Sequence, residues 1–200
     1  MKKTGLFGGT FNPIHLGHLI IAQHFVNEMN LDSCIFIPSS VSPFKTENKD
    51  ILNLEDRIKL VDLAIEDNPH FSVSHYEAEK GGVSYSHETV EYFSALFPED
   101  KLYLLIGGDQ SKSFYKWKNY KSILSKVNLT IADRPETLSS HNRDEINKKL
   151  STSGKIIWLD SPLIEISSTD IRNKIKDNIP VRYLLPQKCE DYIIKNDLYK

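Results

Sequence analysis

The chain has the length and composition of one globular domain: 200 residues, of which 40% are hydrophobic and 26% charged. Its net charge of -2 excludes the overall basic field that holds long nucleic acid, so any bound phosphate would have to be held locally. No run approaches the ~18 consecutive apolar residues of a membrane span, and Cys34 and Cys189 lack the spacing of a disulfide framework or a structural zinc site. We therefore expect a single cytoplasmic domain over residues 1–200, with no membrane or nucleic-acid partner and no indicated oligomeric state.

Short apolar runs alternate along the chain with stretches of helical periodicity. This alternation predicts an α/β fold with a doubly wound parallel sheet, in which ligands bind at the carboxyl ends of the strands. A Ser/Asn/Arg-rich stretch, 136–145, is predicted to be a surface loop, and the segment from about 165 to 200 to form a small helical part packed on the domain. The predicted strands are 4–8, 34–38, 71–79, 101–109, 127–133 and 155–160, and the main predicted helices are 16–29, about 53–66 and 86–97.

The loop after the first predicted strand carries the sequence GGTFNPIHLGH, which begins at Gly8. Gly8 and Gly9 allow a sharp turn and let backbone N–H groups approach a ligand that a Cβ would hold away. Backbone amides at the start of a helix suit phosphate. His15 in the turn and His18 in the first helical turn can face the same ligand, and Gly17 leaves clearance between them.

The sequence of this loop is compatible with three other interpretations. A glycine-rich turn between strand and helix can serve tight packing alone. Two histidines three positions apart can ligate a metal ion, although no third ligand is evident nearby. A dinucleotide-binding dehydrogenase begins similarly, but its G-x-G-x-x-G is absent because GLFGGTF has glycines only at positions 5, 8 and 9.

A second constellation, EISSTDIRNKI, lies near the other end of the chain. Ser167, Ser168 and Thr169 precede an amphipathic helix, where such residues are first of all caps. Arg172, predicted in the first turn, opposes the helix macrodipole unless an anion is bound there. The two helix starts together predict two cationic groups around one polyphosphate chain.

These two stretches resemble the signatures of a known superfamily. GGTFNPIHLGH resembles the (T/H)xGH signature of the nucleotidyltransferases, and ISSTDIR resembles their second signature, ISSTxxR. The blocks GGVSYSHETVEYF, GGDQSKSFYKWKNYKSI, ADRP and RYLLPQKCEDYIIKNDLY are similar to those of the bacterial nicotinate-nucleotide adenylyltransferases. The resemblance implies a Rossmann-like fold of the HxGH nucleotidyltransferase type. It also implies transfer of the adenylyl group of ATP to nicotinate mononucleotide, which gives deamido-NAD and pyrophosphate in NAD biosynthesis.

The resemblance also implies roles for individual residues. His18 would donate to the α-phosphate in the transition state, and His15 would contact the triphosphate. The β and γ phosphates would be held by Ser168, Thr169 and Arg172. Mg²⁺ would bind with ATP, mainly through ATP oxygens and water. The implied catalytic set is His15, His18, Lys45 and Arg172, and the implied ATP-binding set is Gly8, Gly9, Thr10, Phe11, His15, His18, Ser167, Ser168, Thr169 and Arg172.

Two positions depart from the family pattern. Asn12 stands where the first signature commonly has Asp, and the lysine block reads SPFK, with Phe44 where a histidine is frequent. Lys45 is carried over as a phosphate ligand, and no role is assigned to Phe44.

Recognition of the acceptor is expected to depend on the aromatic blocks. Tyr85 and Trp117 would stack on or wall the pyridine ring, with Thr89 near the carboxylate. Asp109 would touch the hydration shell of Mg²⁺ or a ribose, or would only cap a helix. The alternatives are a related adenylyl- or cytidylyltransferase whose acceptor is nicotinamide mononucleotide or phosphopantetheine, and a nucleotide sensor without catalysis.

Overall fold

The computed structural model describes residues 1–41, 51–133, 140–150, 154–162 and 164–200. The described strands are β1 Lys3–Gly9, β2 Ser33–Pro38, β3 Phe71–Val73, β4 Lys101–Gly107, β5 Val127–Asp133 and β6 Ile156–Asp160. All pair in parallel, in the order β3-β2-β1-β4-β5-β6. The helices are α1 Leu16–Met29, α2 Leu54–Ile65, α3 Tyr76–Lys80, α4 Ser86–Leu96, α5 Gly108–Ser111, α6 Tyr120–Lys126, α7 Ser140–Leu150, α8 Ser168–Lys176 and α9 Gln187–Lys195, with a 3₁₀ turn at Phe114–Lys116.

Strand β1 lies at the point where the strand order reverses. The chain runs outward from β1 through β2 to β3 on one side, then crosses to β4 on the other side of β1. Phe7 therefore pairs with Phe36 of β2 and with Leu105 of β4. Such a reversal of strand order is the place where open α/β sheets bind ligands, at the carboxyl ends of the strands. The predicted doubly wound parallel sheet is confirmed.

Helices cover both faces of this sheet. On one face Phe25, Leu60, Ile171 and Ile193, from α1, α2, α8 and α9, pack in one hydrophobic cluster. On the other face α4, α6 and α7 supply residues of a second cluster, such as Phe93 of α4. Because side chains alternate along a strand, neighbouring residues of β4 enter different clusters. Both α8 and α9 therefore lie on the face that also carries α1.

The predicted strand 71–79 is wrong beyond Val73. The residues that follow form helix α3, Tyr76–Lys80, instead of continuing the strand. Glutamate and alanine favour a helix, the acidic residues lie in its first turn, and Gly81 ends it with φ of 67°.

Two further boundaries differ from the prediction. The strand predicted at 101–109 ends at Gly107, so Asp109 lies in α5. The surface loop predicted at 136–145 is helical from Ser140 onward, and its earlier residues lie outside the described chain. Ile146 and Leu150, one turn apart in α7, are buried in the second cluster, so this burial stabilises a helix whose first turn is entirely polar.

None of the helices in the described part of the chain is long and apolar enough to cross a membrane.

One buried cation connects the loops at the carboxyl edge. Arg57 of α2 is 1% exposed. Its guanidinium donates to three backbone carbonyl oxygens: Leu52 O at 3.1 Å, Thr10 O at 2.8 Å and Ser40 O at 3.2 Å. Burial lowers the pKa of Arg57 from its ordinary value. Arg57 thereby holds the loop after β1, the residues just after β2 and the segment that enters α2.

Substitution of Arg57 tests this connection. Arg57→Met should lower the free energy of unfolding by about 3 kcal/mol or more, because three buried carbonyls lose their donor. Lys59→Met removes the same charge from an exposed position of the same helix and should change stability by less than about 0.5 kcal/mol. Urea unfolding of both variants measures the difference, and equal losses would contradict the role given to Arg57.

Candidate active site

The first signature forms the turn between β1 and α1. Gly8 and Gly9 end the strand, and a Cβ added at Gly8 would meet no described atom within 4 Å. At Gly9 the added Cβ would lie 2.8 Å from the ring of Phe11, which is 2% exposed. Gly8 therefore borders open space, whereas Gly9 makes room for a core aromatic ring. The ring of Phe11, which was predicted to bind ATP, is therefore part of the hydrophobic core.

The clearance at Gly17 has a different purpose from the predicted one. A Cβ there would approach Nδ1 of His15 to 3.0 Å and Ile164 Cγ2 to 3.4 Å. The glycine thus makes room for the imidazole of His15 and for neighbouring packing, and the expected clearance for a ligand is corrected.

The two histidines lie against each other. Their rings are stacked, with centroids 3.7 Å apart and planes at 29°. The backbone N–H of His15, the N-cap of α1, donates to Nδ1 of His18 at 3.2 Å. An Nδ1 that accepts this bond leaves the proton of a neutral ring on Nε2. His18 is therefore oriented as an Nε2–H donor. The ring of Phe11 packs edge-on against it, with the two ring centroids 5.1 Å apart.

The imidazole of His15 is uncharged in the unliganded protein. It is 7% exposed, and burial lowers its pKa from 6.5 to about 4. Its buried Nδ1 has no hydrogen-bond partner in the described structure. The prediction of two cationic helix starts is therefore wrong for His15 in the unliganded protein, since a ring stacked on His18 and shielded from water stays neutral at pH 7.

The second signature meets the first. Ser168 Oγ donates to the carbonyl oxygen of Pro13 at 2.8 Å, and Arg172 Nη1 donates to that of Asn12 at 2.9 Å. The other terminal nitrogen of Arg172 lies 3.3 Å from Thr169 Oγ1. The starts of α1 and α8 therefore converge on the corner Asn12–Pro13, although 160 positions separate Arg172 from Asn12.

Two details of the second signature differ from the prediction or refine it. Arg172 is the fifth residue of α8, so it lies one turn in and not in the first turn. Its guanidinium reaches back toward the N-terminus because helical side chains lean that way. Ser167 is the N-cap, whose Oγ accepts from the N–H of Asp170 at 3.1 Å. The Ser167 hydroxyl therefore caps helix α8, which is the role that the capping interpretation predicts.

The side chain of Asn12 is a junction that the sequence did not reveal. Its Oδ1 accepts from the hydroxyl of Tyr199 at 2.9 Å and from the N–H of Leu52 at 3.1 Å. Sequence reasoning missed Tyr199 and Arg57 as residues of this region. For Arg57 one signal existed: it occupies the same helical face as the buried Leu60 and Val61.

The acceptor block is connected to the same edge of the sheet. Ser84 donates its N–H to Val41 O at 2.9 Å and accepts the N–H of Ser40 at its Oγ, also at 2.9 Å. Tyr85 follows as the N-cap of α4, and Lys118 Nζ lies 4.3 Å from its ring centroid. Residues 40–41 follow β2, the neighbour of β1, so this block stands beside the first signature.

The other predicted acceptor residues are placed as follows. Trp117 ends the 3₁₀ turn and packs on Phe114, with ring centroids 4.9 Å apart. Thr89 is 6% exposed, and its hydroxyl donates to Glu77 Oε1 at 2.8 Å. Asp109 is exposed in the first turn of α5, just after β4. Lys45 and Phe44 lie outside the described residues.

The described residues offer no group of three or more His, Cys, Asp and Glu side chains that could hold a metal ion.

The chain is similar in sequence to a known protein family and to named bacterial proteins. The model of the cytidylyltransferase-like family matches residues 6–174. A protein of Caldicellulosiruptor saccharolyticus, named "Probable nicotinate-nucleotide adenylyltransferase", is 39% identical over 198 residues, 99% of each chain. One of the same name from Clostridium novyi is 41% identical over 203 residues, 100% of each chain.

A solved structure shows the same fold at low sequence identity. The Plasmodium falciparum nicotinic acid mononucleotide adenylyltransferase complexed with APC superposes with a TM-score of 0.78 at 17% identity, covering 100% of this chain and 98% of that one. Full-length identity near 40%, together with the convergence of both signatures, leads to one conclusion: the chain belongs to the cytidylyltransferase-like family and, within it, to the nicotinate-nucleotide adenylyltransferases.

Proposed function

We propose that this protein transfers the adenylyl group of ATP to nicotinate mononucleotide, giving deamido-NAD and pyrophosphate, a step of NAD biosynthesis. The observation that carries the proposal is the meeting of the two signatures at Asn12–Pro13, where Arg172 and Ser168 bond the loop that presents His15 and His18. The choice of acceptor is supported by the names of the full-length relatives.

The reaction asks the protein to align and neutralise charges. The attacking atom is a phosphate oxygen that already carries negative charge, and the leaving group is pyrophosphate, so no side chain has to remove a proton. We assign His18 as the Nε2–H donor to the α-phosphate and Arg172 as the cation for the β and γ phosphates. Neutral His15, Ser168, Thr169 and the N–H groups that follow Gly8 add hydrogen bonds along the triphosphate.

Two further components belong to the same proposal. Mg²⁺ enters as part of the ATP substrate, where it neutralises phosphate charge, and its ligands are ATP oxygens and water. Lys45 is proposed as an additional phosphate ligand on the segment whose flanking residues Arg57 holds. A cytoplasmic location fits the two buried, unpaired thiols of Cys34 and Cys189.

The acceptor is proposed to bind beside Tyr85 and Trp117. Lys118 covers one face of the Tyr85 ring, so a pyridine ring could stack only on the opposite face. Because the Thr89 hydroxyl donates to Glu77, a carboxylate would receive its hydrogen bonds from nearby backbone N–H groups first. Asp109, exposed in the first turn of α5, would then face a ribose or the hydrated Mg²⁺.

Measuring pyrophosphate release tests the function. Purified protein with ATP and Mg²⁺ should release pyrophosphate with nicotinate mononucleotide, at a kcat/KM about tenfold or more above that for nicotinamide mononucleotide or phosphopantetheine. The same assay with His18→Ala should show about a 10²-fold lower kcat, because one preorganised donor is lost. His24→Ala, a histidine on the same helix that contacts the backbone of Asp160, is the matched control and should retain activity.

One result would contradict the proposed function and another the role of His18. ATP binding without pyrophosphate release for any of the three acceptors would favour the sensor. A folded His18→Ala protein with full activity would remove His18 from the chemistry.

A pair of glycine variants separates ligand approach from packing. Gly8→Ala should raise the KM for ATP about tenfold without lowering Tm, because the new methyl group enters the open space against which phosphate would lie. Gly5→Ala should lower Tm and leave the KM for ATP unchanged. Its Cβ would lie 2.7 Å from the Phe25 ring, and overpacking costs about 1–3 kcal/mol. Steady-state kinetics and thermal unfolding measure both, and an unchanged KM in Gly8→Ala would contradict the placement of ATP.

The buried His15 predicts an acid sensitivity. The folded protein keeps the ring neutral down to a pKa of about 4, whereas the unfolded chain takes up the proton near 6.5. Between these values the unfolded state binds more protons, so the free energy of unfolding should fall by at most about 1.4 kcal/mol per unit as pH drops. Urea unfolding at pH 7.5, 6 and 5 should show this slope reduced in His15→Gln and retained in a variant of the exposed His75, His75→Gln. An identical slope in all three proteins would show that His15 is not buried as a neutral ring.

A further inference from the structure

We propose that Tyr199, the second residue from the end of the chain, is a positioning residue for adenylyl transfer. Through its hydroxyl it would hold the Asn12–Pro13 corner on which both signatures converge. The inference rests on the proposed function, and it adds the C-terminal residues to the parts of the chain that determine the rate.

The first support is the contact itself. Tyr199 is 8% exposed and Asn12 5% exposed, and 2.9 Å separates the tyrosine hydroxyl from Asn12 Oδ1. The N–H of Leu52 donates to the same oxygen at 3.1 Å. A carbonyl oxygen has two lone pairs, so these two donors satisfy it fully. The Asn12 side chain is therefore held from the chain end and from the segment that enters α2.

The second support is what the backbone of Asn12 does. Its carbonyl oxygen accepts from Arg172 Nη1 at 2.9 Å, and the next carbonyl, that of Pro13, accepts from Ser168 Oγ at 2.8 Å. A rotation of Asn12 would therefore displace Arg172 and the approach to His15 together. The Tyr199 hydroxyl restrains that rotation without being placed among the residues that touch ATP.

The third support is the conformation of the chain end. Asp197 and Tyr199 have φ of 51° and 67°. These values lie in the left-handed region, which residues other than glycine seldom adopt. Such conformations persist where the surrounding structure compensates their cost. Here the N–H of Leu198 donates to Ile193 O at 3.0 Å, and the bend that follows α9 directs the Tyr199 ring inward to Asn12.

The electrostatics keep this tyrosine a donor. Burial raises the pKa of Tyr199 above its ordinary value and outweighs the opposite effects of Arg172 and Arg57, while Asp56 raises it further. The hydroxyl therefore keeps its proton at neutral pH and donates a hydrogen bond to Oδ1 of the neutral Asn12 amide.

The chain offers a matched control for the test. Tyr192 also donates its hydroxyl to a side-chain oxygen, Asp56 Oδ1 at 2.8 Å, but Asp56 lies at the start of α2 and is not part of the proposed machinery. Tyr199→Phe and Tyr192→Phe each remove one hydroxyl and one hydrogen bond. Both should lower Tm by a similar amount, roughly 2–4 °C. Only Tyr199→Phe should lower kcat, by about tenfold, with the KM for nicotinate mononucleotide unchanged.

A second measurement does not depend on catalysis. The imidazole resonances of His15 and His18 in NMR spectra of the unliganded protein should shift in Tyr199→Phe and stay in place in Tyr192→Phe. In a double-mutant cycle with Asn12→Ala, the effects of Tyr199→Phe on kcat should be non-additive, because the two residues share one hydrogen bond.

The outcomes separate the two proposals. An active wild type, a Tyr199→Phe protein as active as Tyr192→Phe and unchanged histidine resonances would overturn the positioning role and leave the function standing. A wild type that transfers no adenylyl group would overturn the proposed function, while shifted histidine resonances would still show the coupling of Tyr199 to the signature.

Discussion

The hydrogen bonds from Arg172 and Ser168 to two consecutive carbonyl oxygens, those of Asn12 and Pro13, are the constraint on which the site depends. They join the start of α8 to the loop before α1, and both helix starts thereby face one place at the carboxyl edge of the sheet. Without them the first signature would be a strand-to-helix turn with two stacked histidines. With them two helix starts converge on one corner, which is the geometry on which the proposed binding of a polyphosphate rests.

Among the described residues, two guanidinium groups place positive charge at this site, and both donate to backbone carbonyls. Arg57 and Arg172 bond the carbonyl oxygens of Thr10 and Asn12, two residues apart in the same loop. A carbonyl oxygen satisfies a guanidinium N–H without cancelling its charge, so positive potential is retained beneath the loop. His15 contributes a neutral ring, because charging it would cost its desolvation. Fixed cations and a neutral imidazole suit a reaction that moves phosphate charge without moving a proton to or from the enzyme.

The differences between prediction and structure have identifiable physical origins. The helix that begins at Ser140 depends on a contact distant in the sequence, the burial of Ile146 and Leu150 against the sheet. The helix over Tyr76–Lys80 has local helix signals, and the Thr89 hydroxyl, twelve positions away, also bonds its Glu77. Local periodicity over five to ten residues cannot report such contacts. The clearance at Gly17 was misjudged for another reason: the direction of the His15 imidazole, which lies over the glycine, depends on the tertiary packing that also brings Ile164 there.

Local sequence was enough to predict the six strands, helices α1, α2 and α4, the glycine-bearing turn after β1 and the capped start of α8. Each is encoded within a short stretch by apolar periodicity, glycine and capping residues. The resemblance of both signatures to one superfamily added the reaction. Only the tertiary structure decided that Arg172 and Ser168 bond the Asn12–Pro13 corner, that Arg57 and Tyr199 support it, and that His15 is neutral. These properties depend on burial and on contacts across as many as 187 positions, which exist only once the chain has folded around the sheet.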